Sequence, residues 1–419
     1  MSKLSIKGGR RLIGDVNISG AKNAALPILT AALLATEGVS EIDNLPNISD
    51  VNLMNQALQS LGTVTERVDD NTLRIDASTL YKREAMEQFI SKMRASYYLI
   101  GPLLGRFGYA RVAMPGGCDF GKRPIDFHIK GFEALGAKVT QQEDAIVVSA
   151  EKLIGAPIYL DFPSVGATIN IMLAAVLAEG TTVIENAAKE PHIVDVANYI
   201  NMMGANVKGA GTDMIRIKGV EKLCGCKYST IPDQIEAGTY MIAGAITGGD
   251  VCVKNIIPEH MESVSSKMRE MGITIQEGDD FIRVTADKPL TATNVKTMPH
   301  PGFPTDLQPQ MTTLLAVAEG SSTMNESIFE NRFQYIKQLV EAGAQIDVIN
   351  GSRAKIEGIT RFNPATFIAT DLRAGAAMIL AALTAEGETV ISDVKYIDRG
   401  YEKIEEKLGN LGADIHRVH

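Results

Sequence analysis

The sequence of 419 residues has no tryptophan, and only 5 % of its residues are aromatic. Proteins that bind single-stranded nucleic acids stack bases on aromatic side chains, and nucleic-acid-binding surfaces are basic. This chain instead has a formal net charge of −9. The composition therefore argues against a nucleic acid as partner. If the ligand is an anion, local groups of cations must bind it against an acidic background.

Cysteine is scarce as well, with four residues at Cys118, Cys224, Cys226 and Cys252. Four are too few for a disulfide framework in so long a chain, and Cys224 and Cys226 lack the second ligand pair typical of structural zinc. The N-terminus lacks the apolar core of a signal peptide. No apolar run is long enough to cross a membrane. We therefore expect a cytoplasmic protein that does not associate with membranes.

The chain contains an internal repeat marked by two series of glycines. One series ends amphipathic helices and recurs at intervals of 74, 68, 68, 71 and 69 residues; it comprises Gly62, Gly136, Gly204, Gly272, Gly343 and Gly412. The second series, in phase with the first, ends apolar helices and comprises Gly38, Gly108, Gly180, Gly248, Gly320 and Gly387. Glycine at the positions of the first series fits a left-handed helix cap. Six βαβαββ units follow from this pattern, which indicates an α/β or α+β fold.

The two helices of each repeat differ in character. The segment Ser49–Leu61 has one apolar and one polar face, as a surface helix does, and Ser49 or Asp50 could cap it. The other helix of each unit, such as the one in INIMLAAVLA after Thr168, is apolar on nearly all sides. Such a helix must be buried on all sides. We expect these six helices at the centres of the domains.

Polar residues precede the apolar helices at equivalent positions of the repeat, namely Lys22, Arg94, Ser164, Asp233, Asp306 and Arg373. A helix N-terminus carries partial positive charge and free amide groups, so it suits anions. Capping accounts for serine and aspartate. It does not account for the three cations, because a cation at a helix N-terminus opposes the helix dipole unless an anion binds there. These helix starts therefore predict a site for a multiply anionic ligand.

The stretch Pro115–Asp126, PGGCDFGKRPID, has three glycines and predicts a surface loop. It places Cys118 beside Lys122 and Arg123, and nearby cations favour a thiolate. A reactive cysteine and a glycine-rich turn with an inert cysteine are both compatible with this composition. The loop nearly matches a P-loop, but Arg123 stands where serine or threonine is needed. We therefore reject a nucleoside-triphosphatase.

Nine segments carry a resemblance to a known family. In chain order they are ISGAKNAALPIL at Ile18, MRASYYLIGPLLGRFG at Met93, PGGCDFGKRPIDFH at Pro115, SVGATINIMLAA at Ser164, ENAAKEPHIVD at Glu185, PHPGFPTDLQPQ at Pro299, FENRF at Phe329, TDLRAGAA at Thr370 and IDRGYEKIEEKL at Ile397. With these segments the chain resembles the enolpyruvyl transferases from end to end, specifically the branch that acts on UDP-N-acetylglucosamine.

The resemblance implies an inside-out α/β barrel with two domains, each of three βαβαββ units. The first domain would comprise residues 21–230 and carry the Cys118 loop, and the second would comprise residues 1–20 and 231–419. The cleft between them would hold the active site. The first strand region would pack with the C-terminal half, so that the chain crosses twice between the domains.

The implied reaction transfers the enolpyruvyl group of phosphoenolpyruvate to the 3′-hydroxyl of UDP-N-acetylglucosamine and releases phosphate. It proceeds by addition and elimination through a tetrahedral ketal, and it is the first committed step toward peptidoglycan. The resemblance implies no metal and no organic cofactor. It implies two small-molecule substrates, and no obligate protein partner is evident.

The resemblance also assigns roles to residues. Cys118 would be the general acid and Asp306 the base. Lys22, Arg123 and Arg399 would hold phosphate and carboxylate, with Asn23 and Arg373 assisting. The UDP-sugar would contact Arg94, Arg123, Pro124, Ile125, Asp126, Phe127, Ser164, Val165, Gly166, Asp306 and Ile328. One departure is Phe162, where several relatives carry a lysine near the UDP portion, so that one diphosphate contact is in doubt.

Two alternatives compete with this reading. A 3-phosphoshikimate enolpyruvyl transferase uses the same donor, but that branch lacks the cysteine loop. A non-catalytic repeat scaffold would leave the cationic helix starts without a purpose.

Overall fold

The computed structural model describes residues 2–85, 94–113 and 125–418, and for Arg94 the backbone alone. The chain forms two compact units. Unit 1 comprises Met1–Ser19 and Pro232–His419, and unit 2 comprises Gly20–Ile231. The chain therefore passes from one unit to the other twice, after Ser19 and after Ile231.

The described residues contain twelve α-helices. In chain order they are α1 (Lys22–Ala31), α2 (Ser49–Leu61), α3 (Ile100–Phe107), α4 (Asp126–Ala134), α5 (Val165–Ala175), α6 (Pro191–Met202), α7 (Gln234–Ile246), α8 (Glu262–Glu270), α9 (Gln308–Leu315), α10 (Ile336–Glu341), α11 (Leu372–Thr384) and α12 (Ile404–Asn410). Short 3-10 turns lie at Ala32–Leu34, Arg94–Leu99, Pro258–Met261, Thr305–Leu307 and Val394–Arg399.

The strands of the described residues are short. In chain order they are β1 (Lys3–Lys7), β2 (Ile13–Asn17), β3 (Ala35–Glu37), β4 (Ser40–Asp43), β5 (Val64–Arg67), β6 (Leu73–Asp76), β7 (Glu84–Ala85), β8 (Tyr109–Ala113), β9 (Lys138–Gln141), β10 (Ala145–Ser149), β11 (Pro157–Tyr159), β12 (Thr181–Glu185), β13 (Asn206–Lys208), β14 (Met214–Lys218), β15 (Leu223–Cys224), β16 (Lys227–Ser229), β17 (Asp250–Lys254), β18 (Thr274–Glu277), β19 (Phe281–Thr285), β20 (Asn294–Lys296), β21 (Ser321–Asn325), β22 (Gln345–Ile349), β23 (Arg353–Glu357), β24 (Thr366–Ile368), β25 (Glu388–Ser392) and β26 (Asp414–Val418).

Within the described ranges these strands form six four-stranded sheets, three in each unit, and a two-stranded ladder of β3 and β15. Every four-stranded sheet has one parallel pair followed by two antiparallel pairs. In the third repeat, for example, β11 runs parallel to β12, and β14 is antiparallel to both β12 and β13. Parallel neighbours need a crossover between them, and in this repeat the apolar helix α5 provides it. The six sheets confirm the predicted six βαβαββ units.

Three of the six sheets take one strand from a distant part of the sequence. Strand β1 lies between β25 and β26 in unit 1. Strand β2 pairs in parallel with β17, also in unit 1. In unit 2, β16 pairs in parallel with β4. The predicted pairing of the first strand region with the C-terminal half is thereby confirmed.

The apolar helices are the buried ones, as predicted. In unit 1, every residue of α7 except Gln234 is buried, every residue of α9 is buried, and α11 is buried from Arg373 to Leu383. These three helices pack against one another. In unit 2, α1 and α5 are buried almost throughout. Among the described helices, none combines the length and the hydrophobicity needed to cross a membrane.

The repeating glycines adopt the conformation expected of them. All twelve have a positive φ, from 62° at Gly248 to 131° at Gly387. This is the left-handed region, which glycine adopts without the penalty that a Cβ imposes. In the first series each glycine lies one or two residues past the end of its helix, so the predicted caps there are confirmed. In the second series Gly108 and Gly248 lie at the same place. The prediction that apolar helices end at Gly38, Gly180, Gly320 and Gly387 is wrong, because these helices already end at Ala31, Ala175, Leu315 and Thr384.

Candidate active site

The six equivalent positions of the repeat lie at helix starts, as predicted. Lys22 is the first residue of α1, Arg94 begins the turn before α3, Ser164 and Asp233 are the residues that cap α5 and α7, Asp306 lies in the turn before α9, and Arg373 is the second residue of α11. The repeat therefore presents a polar residue at the start of each central helix.

In unit 1, Asp306 lies between two buried guanidinium groups. Arg373 Nη2 is 3.0 Å from one carboxylate oxygen, and Arg332 Nη2 is 3.3 Å from the other. Both arginine side chains are 4 % exposed, whereas that of Asp306 is 29 % exposed. Opposite charges at this distance favour the ionised carboxylate. The arrangement holds a charged acceptor in a fixed position that solvent and small molecules can reach.

A buried polar network lies around Arg373. Its Nη1 donates to the Tyr401 hydroxyl at 3.5 Å, and that hydroxyl is 2.9 Å from Thr239 Oγ1 and 3.1 Å from Gln310 Nε2. Thr239, Gln310 and Arg373 belong to α7, α9 and α11, so each central helix of unit 1 contributes one polar group. Burial alone would lower the pKa of Arg373, but the Asp306 carboxylate raises it above its ordinary value. Arg373 is therefore a permanent cation.

Glu326 is a functional candidate that sequence reasoning missed. Its buried carboxylate accepts hydrogen bonds from the hydroxyls of Thr297 and Thr305, each at 2.9 Å, and from the amide of Ile328 at 2.8 Å. One acid thereby fixes the residue next to Asp306 and the backbone of Ile328. A single glutamate after a strand carries no sequence signal for this role, because its partners lie up to 29 residues away.

In unit 2, Lys22 forms an ion pair with Asp50 at 2.6 Å, and the two side chains are 10 % and 5 % exposed. Asp50 lies in the first turn of α2, whose capping position is Ile48 with no side-chain cap. The expected capping of α2 by Ser49 or Asp50 is therefore wrong. Asp50 offsets the charge of Lys22 at the start of α1, as Asp306 does for Arg373. An acidic side chain of the protein therefore neutralises each of these two cations at its helix start. Their position does not by itself require a bound anion.

The segment Ser164–Gly166 forms the start of α5. The Ser164 hydroxyl accepts a hydrogen bond from the amide of Ala167 at 3.4 Å. Gly166 lies against the ring of His128, since a Cβ placed on this glycine would be 3.1 Å from His128 Nε2. His128 belongs to α4, immediately after Phe127. The structure therefore brings the 125–127 segment and the start of α5 together, two of the segments predicted to contact the UDP-sugar.

The remaining predicted residues are distributed over both units. Asn23 is the half-buried second residue of α1, and Asp126 is exposed in the first turn of α4. Arg399 is half-buried at the end of the turn Val394–Arg399. Phe162, the departure from the family pattern, is 41 % exposed, and Asp161 before it pairs with Lys130 at 2.9 Å.

Several predicted residues lie outside the described residues. These are Cys118, Arg123 and Pro124, together with the side chain of Arg94. The reactivity of the Cys118 thiol stays a prediction.

Comparison with known proteins identifies the family. The sequence model described as EPSP synthase (3-phosphoshikimate 1-carboxyvinyltransferase) matches residues 6–408. UDP-N-acetylglucosamine 1-carboxyvinyltransferase 2 of Clostridium acetobutylicum is 58 % identical over 417 residues, which cover 100 % of this chain and 99 % of that protein. UDP-N-acetylglucosamine 1-carboxyvinyltransferase of Clostridium botulinum is 56 % identical over 418 residues, with 100 % of both chains covered. The chain belongs to the enolpyruvyl transferase family.

A solved enolpyruvyl transferase has the same fold. The crystal structure of the enolpyruvyl transferase NikO from Streptomyces tendae matches with a TM-score of 0.89 at 25 % sequence identity, covering 100 % of this chain and 99 % of that one. The predicted family and fold class are therefore confirmed, and the protein is an enzyme of the transferase class.

Proposed function

We infer that the protein transfers the enolpyruvyl group of phosphoenolpyruvate to the 3′-hydroxyl of UDP-N-acetylglucosamine, releasing phosphate in the first committed step of peptidoglycan synthesis. The main support for this function is sequence identity over the whole chain. The chain is 58 % and 56 % identical to two relatives named UDP-N-acetylglucosamine 1-carboxyvinyltransferase. The substrates are small molecules.

The chemistry needs one group that gives a proton and one that takes a proton. Carbon 3 of phosphoenolpyruvate gains a proton, and the sugar oxygen bonds to carbon 2 as its hydroxyl proton leaves. The resulting ketal then loses a proton from carbon 3 and expels phosphate, which restores the double bond. We propose Cys118 as the acid that supplies the first proton and Asp306 as the base that takes the hydroxyl proton. The two guanidinium groups beside Asp306 hold its carboxylate in a fixed position.

Phosphoenolpyruvate carries a phosphate and a carboxylate, so its site needs several cations. We propose that Lys22, Arg123 and Arg399 supply them, with Asn23 and Arg373 assisting. The ion pairs Lys22–Asp50 and Arg373–Asp306 support this role, because each carboxylate holds its cation in one place at a helix start. Preorganised charge of this kind costs little reorganisation when the substrate binds.

We propose the following contacts with the UDP-sugar. In unit 2 these contacts would come from Arg94, the 123–127 segment and Ser164–Gly166. In unit 1 they would come from Asp306 and Ile328. The Glu326 carboxylate supports the second group, because it binds the amide of Ile328 and the hydroxyl next to Asp306.

Phosphate release from phosphoenolpyruvate tests the reaction. We expect release with UDP-N-acetylglucosamine and none with shikimate 3-phosphate. Release with shikimate 3-phosphate alone would assign the chain to the other branch of the family, and release with neither would contradict catalysis by either route.

Two variant pairs test the proposed acid and base. Asp306→Asn should lower kcat by about 100-fold or more, a typical contribution of general base catalysis, whereas the exposed Asp347→Asn should have wild-type activity. The epoxide fosfomycin should inactivate the wild type and the control Cys252→Ser, but not Cys118→Asp. Continued sensitivity of Cys118→Asp would contradict the role of that thiol.

A further inference from the structure

Asn170 is a fully buried polar residue in the middle of α5, and its side-chain amide makes three hydrogen bonds. Its Oδ1 accepts from the amide of Gly101 at 2.7 Å. Its Nδ2 donates to the carbonyl of Tyr97 at 2.6 Å and lies 3.1 Å from His128 Nδ1. Both N–H groups and the oxygen are therefore used, as a buried amide requires.

The orientation of this amide is fixed by its backbone partners. An amide N–H such as that of Gly101 can only donate, and a carbonyl such as that of Tyr97 can only accept. Nδ2 therefore faces His128 as a donor, and His128 Nδ1 must be an acceptor. The proton of the neutral imidazole then lies on Nε2, the nitrogen near Gly166. Burial lowers the pKa of His128 to about 4, so the ring is neutral at physiological pH.

The three bonds reach two other parts of the proposed UDP-sugar site in unit 2, and Asn170 lies in a third. Tyr97 and Gly101 lie in the turn and helix that follow Arg94. His128 directly follows the described 125–127 segment. Asn170 itself lies in the helix that begins after Ser164. One side chain thus connects the segments that are proposed to bind the same ligand.

The approach of α3 to Asn170 is as close as the backbone allows. A Cβ on Gly101 would lie 2.5 Å from the carbonyl oxygen of Asn170 and 2.6 Å from Oδ1. Any other residue at this position would push α3 away from α5 and break the bond to the amide. The hydrogen bond and the glycine therefore specify one separation of the two helices.

We propose that Asn170 is a positioning residue for UDP-N-acetylglucosamine, which holds the three binding segments of unit 2 in register and presents the Nε2–H of His128 beside Gly166. The proposal rests on the proposed function. It assigns Asn170 no contact with the substrate, since the residue acts through the segments that it joins.

The chain provides a matched control two residues earlier in the same helix. Thr168 is also fully buried, and its hydroxyl accepts from the amide of Ala188 at 3.2 Å. Thr168→Val therefore removes a buried hydrogen bond of α5 without touching the two segments that Asn170 joins to this helix. If Asn170 only stabilised the fold, its variants should behave like this one.

Asn170→Asp is the variant that separates the two roles. Aspartate preserves the size of the side chain and an acceptor for Gly101, but it removes both donors and places a carboxylate against His128 Nδ1. We expect the KM for UDP-N-acetylglucosamine to rise about tenfold or more, as for the loss of a buried hydrogen bond. The KM for phosphoenolpyruvate should change less than about threefold, and Thr168→Val should leave both KM values within about twofold.

Nitrogen NMR of protein labelled on its histidines shows which ring nitrogen of His128 carries the proton. This result does not depend on the stability of the fold. With the His128 signals assigned by their loss in His128→Gln, the wild type should carry the proton on Nε2. In Asn170→Asp, Nδ1 should become protonated, because the carboxylate accepts a hydrogen bond and cannot donate one.

The results that would overturn the proposal are specific. A wild-type His128 with its proton on Nδ1 would refute the orientation of the amide, whether or not any variant folds. An unchanged KM for UDP-N-acetylglucosamine in an active Asn170→Asp enzyme, or an equal rise for both substrates, would refute the positioning role. A wild type that releases no phosphate with UDP-N-acetylglucosamine would instead refute the proposed function, and the positioning role with it.

Discussion

Replacing Asp195 with asparagine should flatten part of the pH dependence of this protein's stability. Asp195 lies in α6 and is 2 % exposed. One carboxylate oxygen accepts from the Tyr228 hydroxyl, and the other accepts from the amide of Ile231 at 3.2 Å. Ile231 is the last residue of unit 2 before the chain enters unit 1. Burial raises the pKa of Asp195 to about 6, although both hydrogen bonds oppose the shift.

The magnitude follows from the difference between the folded and unfolded pKa. The ordinary value is 3.8 and the folded value about 6, and each unit corresponds to ~1.4 kcal/mol, so the full effect is about 3 kcal/mol. Because the folded state binds this proton more tightly, the stabilisation is fully present below pH 3.8 and is lost as the pH rises through about 6. Between pH 4 and pH 7 the wild type should therefore lose about 2 kcal/mol relative to Asp195→Asn.

Urea unfolding followed by circular dichroism at pH 4, 5, 6 and 7 measures this change. The unfolding midpoints of wild type and variant are compared at each pH, since a chain of two units need not unfold in one step. Asp213→Asn, an exposed substitution in the same unit, should show a constant difference from the wild type. A constant difference for Asp195→Asn, or a wild type that gains on the variant with rising pH, would refute the reasoning.

Two further substitutions test the site. Gly166→Ala would place a methyl group 3.1 Å from His128 Nε2, so one of the two groups must move. In steady-state kinetics the KM for UDP-N-acetylglucosamine should rise about threefold to tenfold, with little change in the KM for phosphoenolpyruvate. Equal changes in both KM values would contradict this prediction. Glu326→Ala removes the acceptor for the amide of Ile328 and the hydroxyl of Thr305. The free energy of unfolding measured in urea should fall by about 2 kcal/mol or more, and kcat should also fall. A fully active, equally stable variant would show that Glu326 does not hold these loops.

Much of the fold could be predicted from the sequence because the repeat makes it periodic. The glycine series, the apolar helices and the helix starts are local patterns, and each recurs six times in the sequence. A pattern that recurs at fixed spacing is far more specific than one instance. Three sheets contain a strand from a distant part of the sequence. The partners of such a strand could be predicted only for the N-terminal region. The pairing of β16 with β4 could not be predicted, because it joins residues far apart in the sequence.

The partners of the site residues could not be predicted in the same way. Asp50 is 28 residues from Lys22, Arg332 is 26 residues from Asp306, and Asn170 is 42 residues from His128. No local pattern records such a pair, because the contact is created by the packing of two separate elements. The roles of Cys118 and Arg123 stay predictions.

Strand β1 pairs with β26, which lies far along the chain, and this affects the order in which unit 1 can be completed during synthesis. Lys3 faces Val418 across the ladder of β1 and β26. Unit 2 is a continuous stretch that ends at Ile231, so it can fold as soon as that residue leaves the ribosome. Strand β1 must instead wait for β25 and β26, and β2 must wait for β17. In a chain that ends before β26, a protease should therefore cut unit 1 before unit 2.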